Sequence, residues 1–454
     1  MKTDTPNRKV NVVSLGCPKN DADTEVMLGI LAAHGYEFVS EPEEAGILLI
    51  NTCAFIRPAV EESLSFVQEA VERKRHDPNV RIIVTGCLPQ RWHVSGETVP
   101  PDIDCVLGTG QYQRIAEAME ILWHDRRILW LGEPRYLPTA RSPRVRITPP
   151  HYAYVRISDG CDNRCSYCLI PSLRGRYRGR SVRSIVTEAR QAVGAGAKEV
   201  VLVGQDTTGF GKGKPGSAGL AGLLRAVSRI EGVEWIRLLY TYPAHFSERL
   251  IETMRDLPNV VPYLDIPLQH SHDEILARMN RQGTSDEIVR LIDTLREKLD
   301  GVAIRTTFIV GFPGEKEEHF QHLLSFLDRM RFDHVGVFTY SPEKGTPAAE
   351  FRDQVPDEIK EARRHAAMSL QGDISLANNR RLIGARLTAL VDGACSRPVG
   401  DSTESRWFAV GRTYRDAPEI DGQIFVDDDS LAAGTMVDVE VTGAEAYDLI
   451  AKRV

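Results

Sequence analysis

Residues 157–171 read ISDGCDNRCSYCLIP, and its thiols, Cys161, Cys165 and Cys168, form a C-x3-C-x2-C triplet with Tyr167 directly before the last one. Three thiolates on one short loop can hold three irons of a cubane cluster and leave the fourth iron open for a substrate or cofactor. A structural zinc site would be closed by a fourth ligand, normally from a second C-x2-C pair or from histidines. No second pair exists, and the nearest histidine is His151, ten residues upstream. A disulfide framework is also disfavoured, because eight cysteines in 454 residues is sparse usage and the chain opens without a signal-peptide pattern. The open iron makes the triplet read as catalysis.

The composition sets outer bounds. The 454 residues suffice for about three domains of roughly 100–200 residues each. A hydrophobic fraction of 42% and a charged fraction of 26% describe an ordinary globular protein. The net charge of −7 makes no global case for nucleic-acid binding. Apolar runs such as GILLI at 46–50 are strand-sized, so no membrane span is expected. The opening MKTDTPNRKVNVVSLG lacks the apolar core of a signal peptide. A cytoplasmic location is expected, and it suits an oxygen-sensitive cluster.

Upstream of the triplet, residues 1–133 alternate apolar runs (KVNVVSLG, GILLIN, VRIIVTG) with helical stretches near 22–34 and 58–75. Strands separated by single helices imply β-α-β units and a parallel sheet. A cysteine follows each strand: Cys17, Cys53 and Cys87. Ligands collect at the carboxyl ends of such strands, so the three thiols could converge on one edge; three buried small hydrophobes would read the same way. Cys105, in DCVLG, reads as core, and Cys395 stands alone. Residues 134–150, with five prolines and four arginines in EPRYLPTARSPRVRITPPH from Glu133, read as an extended linker.

Residues 151–379 carry strand-like runs at 153–158, 199–203, 235–240, 261–266, 303–310 and 334–339 with helical patterns between them. Six β-α repeats predict an open six-stranded barrel with its functional loops at the strands' C-terminal ends. The triplet loop falls on that face, as do GQDTT at 204–208, IPLQH at 266–270 and VGFPGE at 310–315. Plain strand-to-helix turns would look alike. Residues 380–454 hold short β-like runs with turn residues, consistent with a small antiparallel barrel. The fold class is α/β, with a parallel-sheet domain, a (β/α)6 barrel and a small β-barrel.

The triplet and Tyr167 resemble the radical S-adenosylmethionine (SAM) superfamily, in which SAM chelates the fourth iron. Tyr167 matches the aromatic position near the adenine, although a core aromatic under the loop would read the same way. The three-segment layout, over nearly the whole chain, resembles the radical SAM methylthiotransferases. That resemblance implies two 4Fe-4S clusters, an auxiliary one on Cys17, Cys53 and Cys87 and a SAM cluster on Cys161, Cys165 and Cys168. It also implies a C-terminal TRAM domain, and it places Tyr167, Gly204, Gln205, Asp206, Gln269 and Gly311 beside SAM.

Within that family SLGCPKNDADTE, NTCAFI, GCDNRCSYCLIPSLRG, VGQDTTGFG, TTFIVGFPGE and YSPEKGTPA resemble the RimO-like members, which act on a ribosomal protein, rather than the MiaB-like members, which act on tRNA adenosine. Asp159, Gly179 and Lys316 depart from the pattern without touching a thiol. The implied reaction converts one aspartate of small-subunit ribosomal protein S-twelve to β-methylthioaspartate. One SAM methylates a sulfur at the auxiliary cluster, and a second yields the radical that removes a hydrogen from the β-carbon. An electron donor such as flavodoxin or ferredoxin is implied; nucleic acid is not required. An iron–sulfur carrier or scaffold is the alternative from another class.

Charge bears on the substrate independently. From Arg381 to Val454 there are eight Lys and Arg against thirteen Asp and Glu, a net −5, which favours a basic protein over RNA. Against this, Arg174, Arg176, Arg178, Arg180 and Arg183 could contact phosphate, a SAM carboxylate or a substrate aspartate, or form a solvated loop.

Overall fold

Runs of Val, Ile and Leu become the strands of three successive sheets. The computed structural model describes residues 7–124, 126–213, 216–398 and 405–454. The first sheet contains β1 (Lys9–Ser14), β2 (Glu37–Phe38), β3 (Ile47–Thr52), β4 (Arg81–Gly86), β5 (Cys105–Gly108) and β6 (Ile128–Trp130), in the order β2-β1-β3-β4-β5-β6. Every pairing is parallel. The three anticipated strands are β1, β3 and β4; the short β2, β5 and β6 extend the sheet. β3 is buried at all six residues, as a strand covered on both faces must be. Its covers come from α1 (Pro18–Ala33), α2 (Arg57–His76), α3 (Cys87–Ser95) and α4 (Ile115–Leu122). Helix α1 starts earlier than residue 22 because Pro18 is pre-set for the first helical position and Cys17 takes the N-cap.

The second sheet has β7 (Tyr152–Arg156), β10 (Glu199–Val203), β11 (Trp235–Leu238), β12 (Val260–Asp265), β13 (Ala303–Val310) and β14 (His334–Thr339). Its order, β14-β13-β12-β11-β10-β7, is that of an open six-stranded parallel barrel, as the repeats predict. A small antiparallel pair, β8 (Ser158–Asp159) with β9 (Arg178–Gly179), brackets the cysteine loop. The helices are α5 (Ile170–Arg174), α6 (Val182–Gly194), α7 (Gly219–Ser228), α8 (Glu248–Asp256), α9 (Asp273–Arg278), α10 (Ser285–Lys298), α11 (Glu317–Met330) and α12 (Asp357–Arg380). The main core lies between sheet and helices. A separate core on the other face, including Tyr152, Tyr154, Val201 and Tyr263, receives Leu390 and Ala417 from the last unit. Arg237, wholly buried, ties the two by donating to the Tyr414 carbonyl at 2.7 Å and to Glu199 at 2.6 Å.

The last unit is a closed barrel of β15 (Arg386–Pro398), β16 (Ser405–Thr413), β17 (Ile424–Val426), β19 (Leu449–Arg453) and β18 (Met436–Ala444), in that order. It corrects the expectation of an antiparallel barrel, since β17 and β19 pair in parallel. β18 leaves β17 to close against β15, and the β18–β19 hairpin then returns β19 in the direction of β17.

Residues 134–150 contain no helix or strand, yet they are not a free spacer. Arg144 bridges Glu25 of α1 and Glu188 of α6. A Cβ on Gly29 would come within 2.2 Å of the Arg144 backbone, so the strap lies flat on α1.

Candidate functional site

The C-x3-C-x2-C loop leaves the barrel at the C-terminal end of β7. It begins at Gly160, whose φ of +77° and a Cβ position 2.2 Å from the Arg176 carbonyl oxygen exclude any side chain. Within the loop the Cys168 N–H donates to the Cys165 carbonyl at 3.1 Å, and the Ile170 N–H at the start of α5 points at Cys168 Sγ, 3.4 Å away. Arg281 Nη1 lies 3.8 Å from Cys165 Sγ and 3.3 Å from the Tyr167 hydroxyl. All three thiols are free and partly exposed. Burial pushes Cys161 up to about 11 and Cys168 up to about 12, so these two thiols hold their protons and a bound metal would have to displace them.

The second triplet forms where the topology predicts. Cys17 caps α1 after β1, Cys53 follows β3, and Cys87 opens α3 after β4. Gly16, at φ +101°, backs directly onto Cys53: a Cβ there would sit 2.6 Å from Cys53 Cβ. Ser63 Oγ clamps the Cys53 backbone, accepting from its N–H at 3.2 Å and donating to its carbonyl at 2.7 Å. Burial pushes the Cys53 thiol up to about 12, and the nearby Cys87 and Cys17 thiols push the same way. Tetrahedral zinc, with Zn–S near 2.3 Å, would draw its sulfurs to within about 4 Å of one another. Among the described residues, the one group of such ligands gathered within 4.8 Å is His272, Glu274 and His319. The histidine group is itself a helix-capping cluster. Both Nδ1 atoms accept backbone N–H groups, of Glu274 and Lys316, which leaves the proton on each Nε2 and no lone pair for a metal.

Cys105 is fully buried in β5, as its sequence context suggests. Cys395 lies in β15 against Phe408, Val410 and Phe425.

The two triplets are joined by a buried ionic knot. Asp23 of α1 receives Arg156 of β7 at 2.7 Å and Arg174 of α5 at 2.6 Å, and Arg174 also reaches Asn20 at 2.5 Å and Cys87 Sγ at 3.7 Å. Burial works to raise the Asp23 carboxyl, but the two guanidiniums hold it below the ordinary range. The arginine-rich stretch is thereby corrected. Arg174, Arg178 and Arg180 are engaged by Asp23, Asp159 and Glu188 inside the molecule. Arg176 lies on the surface beside Asp162. A second tie joins Arg91 of α3 to Glu343 after β14 at 2.5 Å.

The residues expected beside SAM divide. Asp206 accepts from Asn163 of the cysteine loop at 3.0 Å and from His245 at 2.8 Å, and Gln205 donates to Asp159 at 3.0 Å. Gly204 abuts Ser158: a Cβ there would sit 2.5 Å from the Ser158 Oγ. Tyr167 and Gln269 line one cavity of about 140 Å3 with Phe55, Ile56, Thr307 and Tyr340. Gln269 has φ +75°, a strained conformation held by backbone bonds to Thr307 and Ile309. Tyr167 also packs against the cluster of Phe312 and Met279, as a core aromatic under the loop would. Gly311 stands apart: a Cβ there would lie 2.1 Å from Lys360 of α12, which turns it toward that helix.

Two residues of the site were not legible as such in the sequence. Arg281, in RMNRQG, carries no motif signal before the fold brings it to Cys165. Arg174 was visible only as one of five arginines.

Comparison with known proteins agrees with this architecture. Residues 155–327 match the Radical SAM superfamily, residues 9–108 match Uncharacterized protein family UPF0004, and residues 383–454 match the TRAM domain. Among solved structures, the radical S-adenosylmethionine methyltransferase TsrM from Kitasatospora setae superposes with a TM-score of 0.55 at 16% identity, covering 87% of this chain and 81% of its own. The cobalamin-dependent radical enzyme OxsB gives 0.51 at 13% identity, covering 81% and 56%. At such identities these two speak for the fold alone. Curated relatives are far nearer. The ribosomal protein uS12 methylthiotransferase RimO of Heliobacterium modesticaldum is 46% identical over 98% of this chain and 95% of its own. Those of Desulfitobacterium hafniense and Thermosynechococcus vestitus are 43% and 44% identical over 98% and 97% of this chain and 98% and 96% of their own. With that identity spanning the sheet, the barrel and the last unit together, the chain belongs to the RimO family of radical SAM methylthiotransferases.

Proposed function

We propose that this enzyme methylthiolates the β-carbon of one aspartate in ribosomal protein uS12, using two 4Fe-4S clusters and SAM. The observation that carries the reading is that Arg174, just after the triplet Cys161, Cys165 and Cys168, ties that loop to Asp23 and to Cys87 of the triplet Cys17, Cys53 and Cys87. When bound, the clusters and SAM supply the electron, the hydrogen-abstracting radical and the methylthio group, chemistry that no side chain provides.

The chain's own residues position these groups. The Ile170 N–H and Arg281 point at the sulfurs of the radical triplet, and Arg174 at one of the auxiliary triplet; such donors tune cluster potential. Tyr167, Gln205, Asp206 and Gln269 form the SAM side of the barrel, with Gly204 giving close backbone approach and Gly311 shaping the end of β13. The acidic last unit, at net −5, draws a basic protein substrate and repels RNA. No helix of the described residues is long and apolar enough to cross a membrane. A cytoplasmic enzyme reduced by a flavodoxin or ferredoxin fits this picture.

The test is anaerobic reaction of the reconstituted enzyme with uS12, followed by mass spectrometry. Gain of one methylthio group on a single aspartate supports the reading. Modification of tRNA adenosine instead, with uS12 untouched, overturns the substrate. A reduced protein that makes no 5′-deoxyadenosine from SAM overturns the chemistry.

A further inference from the structure

Among the described residues, one buried cation at the barrel rim has no ion-pair partner. Lys19, in the first turn of α1, is only 8% exposed, and its ammonium lies 3.3 Å from the centroid of the Tyr240 ring. No described carboxylate comes within ion-pair distance of that ammonium. The carboxylates around it are already matched, and the Cys17 thiol is the nearby group that could oppose its charge. Asp23 is held by Arg156 and Arg174, and Asp265 by Arg305 at 2.9 Å. An aromatic face recovers part of an ammonium's lost hydration, but burying a charge without a counter-charge remains costly. Such a cost persists where a ligand supplies the missing partner.

Its location narrows the ligand. Lys19 stands two residues after Cys17, and its backbone carbonyl accepts from Arg156 of β7. Tyr240 follows β11 at the C-terminal end of the strand, held at φ +60° by the Asp265 carboxylate, which accepts its N–H at 2.9 Å. Arg305, which neutralises Asp265, and Thr307, which lines the cavity beside Tyr167, alternate along one face of β13. The ammonium therefore lies at the C-terminal ends of the barrel strands, on the helix that Cys17 caps.

We infer that Lys19 binds the side-chain carboxylate of the substrate aspartate and thereby orients its β-carbon. This rests on the functional reading above. The β-carbon is one bond from the carboxylate, so anchoring the carboxylate fixes the reacting C–H by a single remaining rotation. The charge also selects aspartate over asparagine, whose amide offers half the acceptors and adds donors that face the ammonium unfavourably. Lys19 is a substrate-positioning residue in this scheme, and the radical chemistry lies elsewhere.

The experiment uses the full-length reconstituted enzyme as wild type, Lys19→Met and Lys19→Arg, with uS12 carrying aspartate or asparagine at the modified position. Binding is measured by calorimetry without reductant, turnover by mass spectrometry, and the auxiliary cluster by iron content and absorption. Lys19→Met is expected to weaken binding of the aspartate form about ten- to hundredfold, the range of a lost charge-assisted hydrogen bond, and to abolish the preference over asparagine. Lys19→Arg should restore much of that preference. Because Lys19→Met removes an unpaired buried charge, the substrate-free protein should be no less stable than wild type; a purely structural lysine predicts the reverse. An unchanged aspartate preference in Lys19→Met overturns the inference, and so does loss of the auxiliary cluster with that preference intact, which makes Lys19 a counter-ion of the cysteines. A wild type that neither binds nor modifies uS12 overturns the functional reading itself, a result separate from both.

Discussion

Replacing Arg174 with methionine probes the junction on which both triplets depend. The side chain is 2% exposed, and it donates to Asp23 at 2.6 Å, to Asn20 at 2.5 Å and to Cys87 Sγ at 3.7 Å. Methionine fills much of the volume but leaves the Asn20 oxygen unsatisfied and Asp23 with Arg156 alone. Removing one partner of a buried ion pair costs about 3–5 kcal/mol, far more than the pair contributes against an apolar replacement of both partners. Anaerobic urea denaturation should therefore show the first unfolding transition destabilised by about that amount. The same substitution removes a positive charge and an N–H donor beside Cys87, so the auxiliary cluster's reduction potential should fall. A variant within about 1 kcal/mol of wild type, with an unmoved potential, would refute the knot as a determinant of either property.

Three other outcomes follow from the geometry. Gly16→Ala puts a methyl 2.6 Å from Cys53 Cβ at a φ of +101°, so the auxiliary cluster should be lost while SAM cleavage at the barrel continues, read by iron content and 5′-deoxyadenosine. Arg281→Met removes the guanidinium from Cys165 and Tyr167, and reductive SAM cleavage should slow by about tenfold or more, measured with a chemical reductant. His270 is fully buried, and burial followed by the nearby His272, His319 and His322 lowers it from 6.5 to about 3. Its depressed value means that the unfolded chain takes the proton first, so stability is complete above pH 6.5 and is lost as pH falls toward 3. Between pH 7 and 5 the metal-free protein should lose about 2 kcal/mol more than a His270→Gln variant in urea titrations.

The spacing of Cys161, Cys165 and Cys168 was enough to point to the radical SAM superfamily, which the match of residues 155–327 shows, because ligand spacing is local and survives without tertiary information. The parallel sheets were equally readable: β3 carries the apolar run ILLI and β10 the run VVLV, and such runs occur where helices cover both faces. The convergence of Cys17, Cys53 and Cys87 could be anticipated from their place after successive strands, since β-α-β topology brings such ends to one edge.

Side-chain pairing was beyond that reach. Five arginines in a row of loops look alike in sequence, and only the packing of α5 against α1 assigns Arg174 to Asp23 and leaves Arg176 to solvent. The parallel β17–β19 pair was likewise invisible, because strand order depends on where a hairpin lands and not on its residues. The sequence by itself determined which chemistry this protein holds, through the identity and spacing of its thiols. Only the tertiary structure decided that Arg174 links the two cysteine segments and that Lys19 is buried against Tyr240 without a carboxylate partner, because the partners of a buried charge come from segments far apart in the chain.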